Sequence, residues 1–287
     1  MRDPQRLPKE EIQATAKSLR EDILRMIHKA GSGHPGGSLS AIDMILTLHS
    51  GEMRYDPKDP RWDLRDRFVL SKGHGVPALY AVLAEKGFFP KEQLMTLREL
   101  GSPIQGHPAN ALLDCIEAST GSLGQGLSVA QGIALAGKVR GQQDGKDEAA
   151  WHVYALLGDG ELQEGQIWEA AMSAPHLGIT NLTAFVDWNK AQIDGTVEEV
   201  MSLNPLSQKW ESFGWHVQEI DGHDIDAIRR ACDRARSNTS APSVILAHTT
   251  KGKGVAYMEK DIVGWHGKAP SDGEFKQAMN ELKGGAA

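Results

Sequence analysis

Short apolar runs alternate with longer stretches in which apolar residues recur at helical spacing along most of the chain. The runs have the length of β-strands and are separated by polar or glycine-containing segments. Strands that alternate with helices in this way form parallel sheets that are covered by helices on both faces. The pattern therefore predicts an α/β fold with a doubly wound, mostly parallel sheet flanked by helices. The predicted strands are residues 67–71, 151–157, 182–187, 215–220 and 243–249.

Helical spacing of apolar residues is clearest in three stretches, two of which lie near the N-terminus. Residues 8–29 and 38–49 are predicted helices, and a glycine-rich turn that contains His34 separates them. Residues 163–177 are predicted to form an amphipathic helix after the second strand. The polar, glycine-containing segment 141–150 indicates a surface loop.

No internal repeat or shift in composition divides the chain. Its 287 residues allow one large or two ordinary domains. We therefore predict a single domain over residues 1–287, with an irregular tail from about residue 251. The tail is rich in glycine, and a long segment of this kind in a compact protein is usually functional or disordered.

The composition limits the classes of partner and compartment. The chain is 40% hydrophobic and 24% charged, with a net charge of -7 and no long basic run, which argues against nucleic acid or an anionic membrane as the main partner. Cys115 and Cys232 lie far apart and form no CxxC motif, so neither a disulfide framework nor a thiolate metal site is expected. No stretch approaches the roughly 18 apolar residues of a membrane span, and the charged N-terminal stretch has no signal-peptide core. We expect a cytoplasmic protein with small-molecule or protein partners.

The motif Gly158-Asp159-Gly160 ends one predicted strand, and Trp188-Asn189 follows the next strand after 27 intervening residues. Side-chain oxygens at two such strand ends can bind one hard cation, and the glycines let phosphates approach the backbone. Parallel-sheet proteins build their sites at these carboxyl ends. The pairing therefore predicts a Mg²⁺-bridged diphosphate site. The alternative for Asp159 is an ordinary helix N-cap.

Five of the 11 histidines lie beside a glycine: His34, His74, His107 and His223 follow one, and His266 precedes one. A histidine in a glycine-flanked loop can point into a cleft, whereas a histidine on an apolar helical face is usually a core residue. Imidazoles suit proton transfer because their pKa lies near neutrality. The exception is His223, which we predict to be structural, in a segment where Asp224 caps the next helix.

Seven glycine-containing segments along the chain carry a joint resemblance. They are Gly33-His34-Pro35-Gly36-Gly37, Ser71-Lys72-Gly73-His74-Gly75, Gly106-His107-Pro108, Thr120-Gly121-Ser122-Leu123-Gly124-Gln125-Gly126, Gly158-Asp159-Gly160-Glu161-Leu162-Gln163-Glu164-Gly165, Ile193-Asp194-Gly195 and Lys251-Gly252-Lys253-Gly254. Together these segments resemble the transketolase family of thiamine diphosphate enzymes. The resemblance covers nearly the whole chain but extends only to the N-terminal, diphosphate-binding domain of that family; its pyrimidine-binding and C-terminal domains have no counterpart here. The resemblance thus implies a thiamine diphosphate-binding fold and the N-terminal subunit of a split transketolase.

The resemblance also implies roles for individual residues. The metal would be Mg²⁺, with Ca²⁺ or Mn²⁺ as substitutes, bound by the side chains of Asp159 and Asn189 and by the backbone carbonyl of Ala191. Three histidines would serve catalysis: His34 and His266 by contacting the donor's hydroxyls, and His107 by holding its terminal hydroxymethyl group. The cofactor contacts it implies are His74, Gly121, Ser122, Leu123, Asp159, Gly160, Glu164, Asn189 and His266.

The activity implied by the resemblance is transfer of a two-carbon ketol unit from a ketose phosphate to an aldose phosphate, as in the pentose phosphate pathway. The family's glutamate that activates the aminopyrimidine belongs to the missing part. The implied partner is therefore a C-terminal transketolase subunit, which carries the pyrimidine-binding and C-terminal domains, in an α2β2 assembly. Alternatives are a subunit of another thiamine diphosphate enzyme, such as a deoxyxylulose-phosphate synthase or a 2-oxo acid dehydrogenase, and a non-catalytic paralogue.

Some positions depart from the family's pattern or have two interpretations. Trp188 replaces a residue that is usually acidic, Ala191 one that is usually bulkier, and Ser122 a frequent proline. Lys251 lies either in a solvated basic turn or close to the diphosphate, where its charge would help to neutralise the phosphates. A surface that receives a partner subunit should be apolar, and the candidate contributors, each of which could equally be core, are Met44, Trp168, Met172 and Trp188.

Overall fold

Five parallel strands form a single sheet within the described part of the molecule. The computed structural model describes residues 4–284; residues 1–3 and 285–287, which the single-domain prediction includes, lie outside this range. Each predicted strand is present within one or two residues of its expected ends, and the strand order is β1-β2-β3-β5-β4. The strands are β1 (Arg67–Leu70), β2 (Val153–Gly158), β3 (Leu182–Trp188), β4 (His216–Asp221) and β5 (Ser243–His248).

Ten α-helices accompany the sheet within residues 4–284. The three predicted helical stretches correspond to the first, second and fifth of them. None of the described helices is both long enough and apolar enough to cross a membrane. The helices are α1 (Lys9–Ala30), α2 (Pro35–Thr47), α3 (Val76–Glu85), α4 (Gln125–Gln143), α5 (Gly165–His176), α6 (Val197–Met201), α7 (Leu206–Ser212), α8 (Ile225–Ser237), α9 (Ala256–Lys260) and α10 (Asp272–Leu282).

Side chains on the two faces of the sheet build two separate apolar layers. On β2, Tyr154 and Leu156 pack with α1, α2, α3, α8 and α10, whereas Val153, Ala155 and Leu157 pack with α4, α5 and α7. Successive strand residues point to opposite faces, so a strand buried on both sides must be apolar throughout. This arrangement confirms the predicted doubly wound α/β sheet.

The start of α2 fixes the position of one predicted site residue. Gly31 ends α1 in a left-handed conformation with φ 61°, which glycine adopts without steric cost. His34 is the N-cap residue of α2, and Pro35 occupies its first turn, where the missing N–H is not needed. The turn between α1 and α2 therefore holds His34 at the N-terminus of α2, which is a buried helix.

The prediction of an irregular tail from residue 251 is wrong for much of its length. Residues Ala256–Lys260 and Asp272–Leu282 are helical, and the latter helix starts with a capping box in which Ser271 and Glu274 exchange hydrogen bonds. This helix buries Met279 and Leu282 in the same apolar layer as α1. Packing of this apolar face against the core stabilises the helix, although the glycine content of the segment suggests a loop.

Candidate active site

The loops that follow β1, β2, β3 and β5 meet at the carboxyl edge of the sheet around a cavity of about 200 Å³. The topology explains the convergence, because the carboxyl ends of all strands in a parallel sheet lie at one edge. The residues predicted from sequence that line this cavity are His74, Leu123, Asp159, Gly160, Glu164, Asn189, Ala191 and His266.

Asp159 joins the loops that follow β2 and β3. Its side chain is almost fully buried; Oδ1 accepts a hydrogen bond from the Gly160 N–H at 2.8 Å, and Oδ2 accepts one from the Lys190 N–H at 2.5 Å. The first bond caps the short helical turn Gly160–Gln163, so Asp159 is an N-cap residue in addition to lining the cavity. Burial, and then the charge of Asp187, raise the pKa of Asp159 to about 7.

Asn189 is oriented by a carboxylate behind it. Its Nδ2 donates to Asp187 Oδ2 at 3.1 Å, which turns Oδ1 towards the Ala191 N–H at 3.3 Å. Only a donor can face the buried carboxylate, so the amide oxygen is the atom directed into the loop that lines the cavity.

A buried ion pair between Lys72 and Asp187 lies next to these residues, and the sequence analysis did not identify it. Lys72 Nζ is 2.5 Å from Asp187 Oδ2, and both side chains are at most 1% exposed. Ser40 and Thr249 also donate to this carboxylate. Burial alone would raise the pKa of Asp187, but Lys72 and these hydroxyls outweigh it and hold the pKa below its ordinary value. The carboxylate is therefore charged at neutral pH.

Glu161 is a second buried carboxylate that the sequence analysis missed. Its Oε1 accepts hydrogen bonds from the Ser71 hydroxyl at 2.5 Å and the Gly124 N–H at 3.0 Å, and its Oε2 accepts one from the Gly158 N–H at 3.0 Å. One side chain thus connects the loop after β1, the N-terminus of α4 and the end of β2. The one available signal was the place of Glu161 directly after the Gly-Asp-Gly motif.

Lys251 is not part of a solvated turn. The residue is 2% exposed, and its Nζ donates to the Ala191 carbonyl at 2.9 Å and lies 2.9 Å from His266 Nδ1. Burial, followed by the charge of Lys72, lowers the pKa of Lys251 to about 8. Its ammonium group therefore lies against the cavity, which excludes the solvated interpretation of this residue.

Four of the glycine-flanked histidines form a cluster. The ring centroid of His34 lies 5.2 Å from that of His74, 5.5 Å from that of His266 and 6.4 Å from that of His107. The rings of His74 and His266 are 5.1 Å apart. Of these four, His74 and His266 line the cavity, and His34 and His107 lie beside it.

The histidine cluster is neutral at physiological pH. Burial, and then the charge of Arg98, lower the pKa of His34 to about 4. Burial, and then the charge of Lys251, lower the pKa of His266 to about 3. Neutral imidazoles can accept protons, and the buried Nδ1 of His34 has no hydrogen-bond partner among the described residues.

Gly121 and Ser122 are not brought to the cavity wall, although Leu123 of the same turn is. Gly121 has a φ of 143°, and a Cβ there would lie 2.8 Å from Cδ2 of His107. The turn therefore packs against the His107 ring, and a side chain at residue 121 would displace it.

His223 is structural, as predicted. Its Nδ1 lies 2.7 Å from Asp43 Oδ2, and its Nε2 accepts a hydrogen bond from the Thr250 N–H at 2.9 Å. Asp224 caps α8 by accepting from the Asp226 N–H. The ring is thus occupied on both nitrogens, away from the cavity.

Trp188 does not line the cavity. Its ring stacks on His248 with a centroid distance of 4.6 Å, beside a separate groove of about 510 Å³. The tryptophan at this position therefore packs against the neighbouring strand β5. Of the other candidate surface residues, Met172 is 59% exposed, but Met44 is fully buried, so it belongs to the core.

The cavity fits a hard cation and a diphosphate by the chemistry of its oxygens. Asp159, Asn189 and Ala191 offer one carboxylate, one amide oxygen and one carbonyl oxygen, and Mg²⁺ typically binds one or two carboxylates together with phosphate oxygens. Within residues 4–284, no group of three or more His, Cys, Asp or Glu residues is arranged to hold a metal ion. Gln192 Oε1, also at the cavity, is buried and has no hydrogen-bond partner among the described residues.

Comparison with known proteins identifies relatives of the chain's own length. The family described as transketolase, thiamine diphosphate binding domain, matches residues 11–284. The 6-deoxy-6-sulfo-D-fructose transketolase subunit SqwG of Clostridium sp. (strain MSTE9) is 45% identical, over 95% of this chain and 96% of the relative. One subunit of the apulose-4-phosphate transketolase of Phocaeicola vulgatus is 41% identical, over 95% of this chain and 94% of the relative.

Solved structures of longer proteins share the fold. A transketolase from Campylobacter jejuni superimposes with a TM-score of 0.87 at 33% identity, covering 96% of this chain and 43% of that protein. A transketolase from Leishmania mexicana gives a TM-score of 0.88 at 30% identity, over 97% of this chain and 42% of that protein. The chain thus spans less than half the length of the solved transketolases that it matches.

Proposed function

Because this chain belongs to the transketolase family, we propose that it is the N-terminal, thiamine diphosphate-binding subunit of a two-chain transketolase. The enzyme transfers a two-carbon ketol unit from a ketose phosphate to an aldose phosphate. The observation that carries the proposal is the cavity at the carboxyl edge of the sheet, where Asp159 and Asn189 lie beside a cluster of neutral histidines.

Thiamine diphosphate, when bound, supplies the nucleophilic carbon for ketol transfer, and the protein orients the reactants and handles the protons. In our proposal Asp159, Asn189 and the Ala191 carbonyl would hold Mg²⁺, whose positive charge would offset the negative charge of the cofactor's phosphates. Their oxygens are hard ligands on two short loops, as such a cation requires. Of the remaining cofactor contacts predicted from sequence, His74, Leu123, Gly160, Glu164 and His266 line the cavity. Gly121 and Ser122 precede Leu123 in its turn but lie off the cavity wall, so their contact with the cofactor stays a prediction.

The histidines carry the proton transfers in this proposal. His34 and His266 contact hydroxyls of the donor, and each imidazole accepts a hydroxyl proton in one half-reaction and returns it in the other. Both rings are unprotonated before substrate binds, as a proton acceptor must be, because burial and neighbouring positive charges lower their pKa values. His107 holds the terminal hydroxymethyl group, for which its place beside His34 is suitable.

A second chain completes the enzyme in this proposal. Two relatives of nearly the same length are named as subunits, whereas relatives named simply transketolase, such as the human protein, are matched over 42% of their length. We propose that the partner resembles the C-terminal part of transketolase, supplies the pyrimidine-binding domain, and assembles with this chain as α2β2.

Cofactor titration of the complex with its partner tests the proposal. We expect thiamine diphosphate to bind tightly with Mg²⁺, with Ca²⁺ or Mn²⁺ as substitutes, and to lose most of its affinity when a chelator removes the cation. Calorimetry measures both constants. Absence of cofactor binding under all these conditions would instead indicate a non-catalytic paralogue. Cofactor binding that is insensitive to the chelator would refute the proposed metal site.

A further inference from the structure

Arg98 has an unusual backbone conformation in the loop that leads to His107. Its φ is 62°, one of two positive values among the non-glycine residues described, and this left-handed region is unfavourable for a side chain of its size. The Arg98 N–H donates to the Ile104 carbonyl at 2.9 Å, which closes the loop and holds the conformation. An unfavourable backbone conformation that is held in this way is typical of residues with a functional role.

The guanidinium group of Arg98 connects the two turns that carry His34 and His107. Its Nη1 donates to the Ser32 hydroxyl at 2.9 Å, two residues before His34. On its other side it packs against Gly106, directly before His107, where a Cβ would lie 2.8 Å from Nε and 2.9 Å from Cζ of the arginine. A side chain at residue 106 would require the guanidinium group to shift.

The charge of Arg98 influences both histidines, while the carboxylate next to it in the chain has another partner. The adjacent Glu99 pairs with Lys29 at 3.1 Å. For both His34 and His107, burial is the largest influence that lowers the pKa, and the charge of Arg98 is the next. The other groups that act on His34 are His107, Lys72 and Lys251, while the rings of His74 and His266 face it.

We propose that Arg98 is a positioning residue of this active site, whose guanidinium fixes the separation of His34 and His107 and places a permanent positive charge beside both rings. Through the first effect it sets where the two imidazoles meet the substrate, and through the second it keeps them unprotonated. The effect of Arg98 on catalysis rests on the proposed function. The effect of its charge on the protonation of the two imidazoles does not rest on that function, because it concerns this chain alone.

Titration of the histidines by NMR in the purified full-length chain tests the electrostatic part. Arg98→Met removes the charge and keeps an unbranched apolar side chain, and we expect the pKa of both His34 and His107 to rise. Arg98→Lys keeps the charge and should leave both pKa values near those of the parent. Arg25→Met, at an exposed arginine that pairs with Glu21, is the matched control. Unchanged titration of both histidines in Arg98→Met would overturn the electrostatic role.

Kinetics of the complex with its partner test the positional part. Arg98→Met should lower kcat/KM by about tenfold or more, and should move the acid limb of the pH profile to higher pH because the imidazoles protonate more readily. Arg98→Lys and Gly106→Ala should keep the acid limb of the pH profile but raise KM. A lysine cannot bridge the turns that carry His34 and His107, and an alanine at residue 106 displaces the guanidinium group. The thermal midpoint is recorded for each variant.

The outcomes separate the two proposals. A parent complex without ketol transfer would refute the proposed function, and the NMR titration would still decide the inference about Arg98. An active parent whose Arg98→Met variant keeps its pH profile and KM, and differs from it only in stability, would show that Arg98 is merely structural.

Discussion

Asp159 is the residue on which the proposed metal site depends most. It is buried, it accepts hydrogen bonds from two backbone N–H groups, and it lies at the cavity with Asn189. We predict that Asp159→Ala weakens thiamine diphosphate binding at fixed Mg²⁺ by about a hundredfold or more, which is about 3 kcal/mol. Calorimetric titration of the assembled enzyme measures this, with Asp147→Ala in an exposed loop as the control. Equal affinity of Asp159→Ala and the parent would exclude Asp159 as a ligand.

His34 allows catalysis and folding to be separated at a single residue. It follows a glycine in the turn before α2 and has a buried Nδ1 without a described partner. We predict that His34→Ala lowers turnover by roughly a hundredfold or more while the thermal midpoint changes little, because no apolar core cavity is created. Turnover and Tm of the reconstituted complex provide the comparison. Activity lost only in proportion to folded protein would argue against the proton-transfer role.

At the scale of elements, Glu161 connects the ends of β1 and β2 to the start of α4. Its oxygens accept from one hydroxyl and two backbone N–H groups, so all the contacts require an acceptor. Glu161→Gln presents an amide donor to at least one of these donors, and we predict a loss of about 1–3 kcal/mol in the free energy of unfolding. Urea denaturation measures it, and Glu211→Gln on the exposed side of α7 is the control. Equal stability of the two variants would contradict the connecting role.

The elements differ in how far their sequences determine them. The strands were predictable because β2 is continuously apolar and β3 is interrupted only by Thr183 and Asp187, as a sheet covered on both faces requires. Helix α10 was missed although Ser271 and Glu274 form a capping box before it, because its glycine-rich surroundings suggested a loop. Helix α9 has only five residues and shows little periodicity.

The site was predictable to a similar extent. Asp159 and Asn189 could be paired from sequence because both follow strands whose carboxyl ends meet at one edge. The bond between Lys72 and Asp187 could not be anticipated. The two residues are 115 positions apart, at the ends of strands β1 and β3, which are separated in the sheet by β2. Their contact therefore follows from tertiary packing, for which the sequence pattern contains no local signal.

At the scale of the whole molecule, buried histidines make stability depend on pH. His49 is buried and His152 is half-buried, and desolvation lowers the pKa of each to about 4. In the unfolded chain such groups titrate near pH 6.5, so between about pH 6.5 and 4 the unfolded state binds protons that the native state does not. The contribution of these two histidines to stability should therefore be fully present above pH 6.5 and be lost as the pH decreases through this window.

Urea denaturation at several pH values between 7.5 and 4.5 measures this dependence. We predict that each of the two histidines contributes a slope of at most about 1.4 kcal/mol per pH unit. His152→Gln, which retains a hydrogen-bonding side chain next to Thr183, should reduce the total slope by the share of one histidine. A His152→Gln variant with the same slope as the parent would show that the His152 ring does not resist protonation.

The central claim is that this chain is one half of a two-chain transketolase. The most direct measurement is the rate of ketol transfer from a ketose phosphate to an aldose phosphate in the presence of thiamine diphosphate and Mg²⁺. The purified chain is titrated with a partner that resembles the C-terminal part of transketolase. The account predicts no turnover by either chain alone and a maximum at a one-to-one ratio. Robust turnover by the rigorously purified single chain would contradict it.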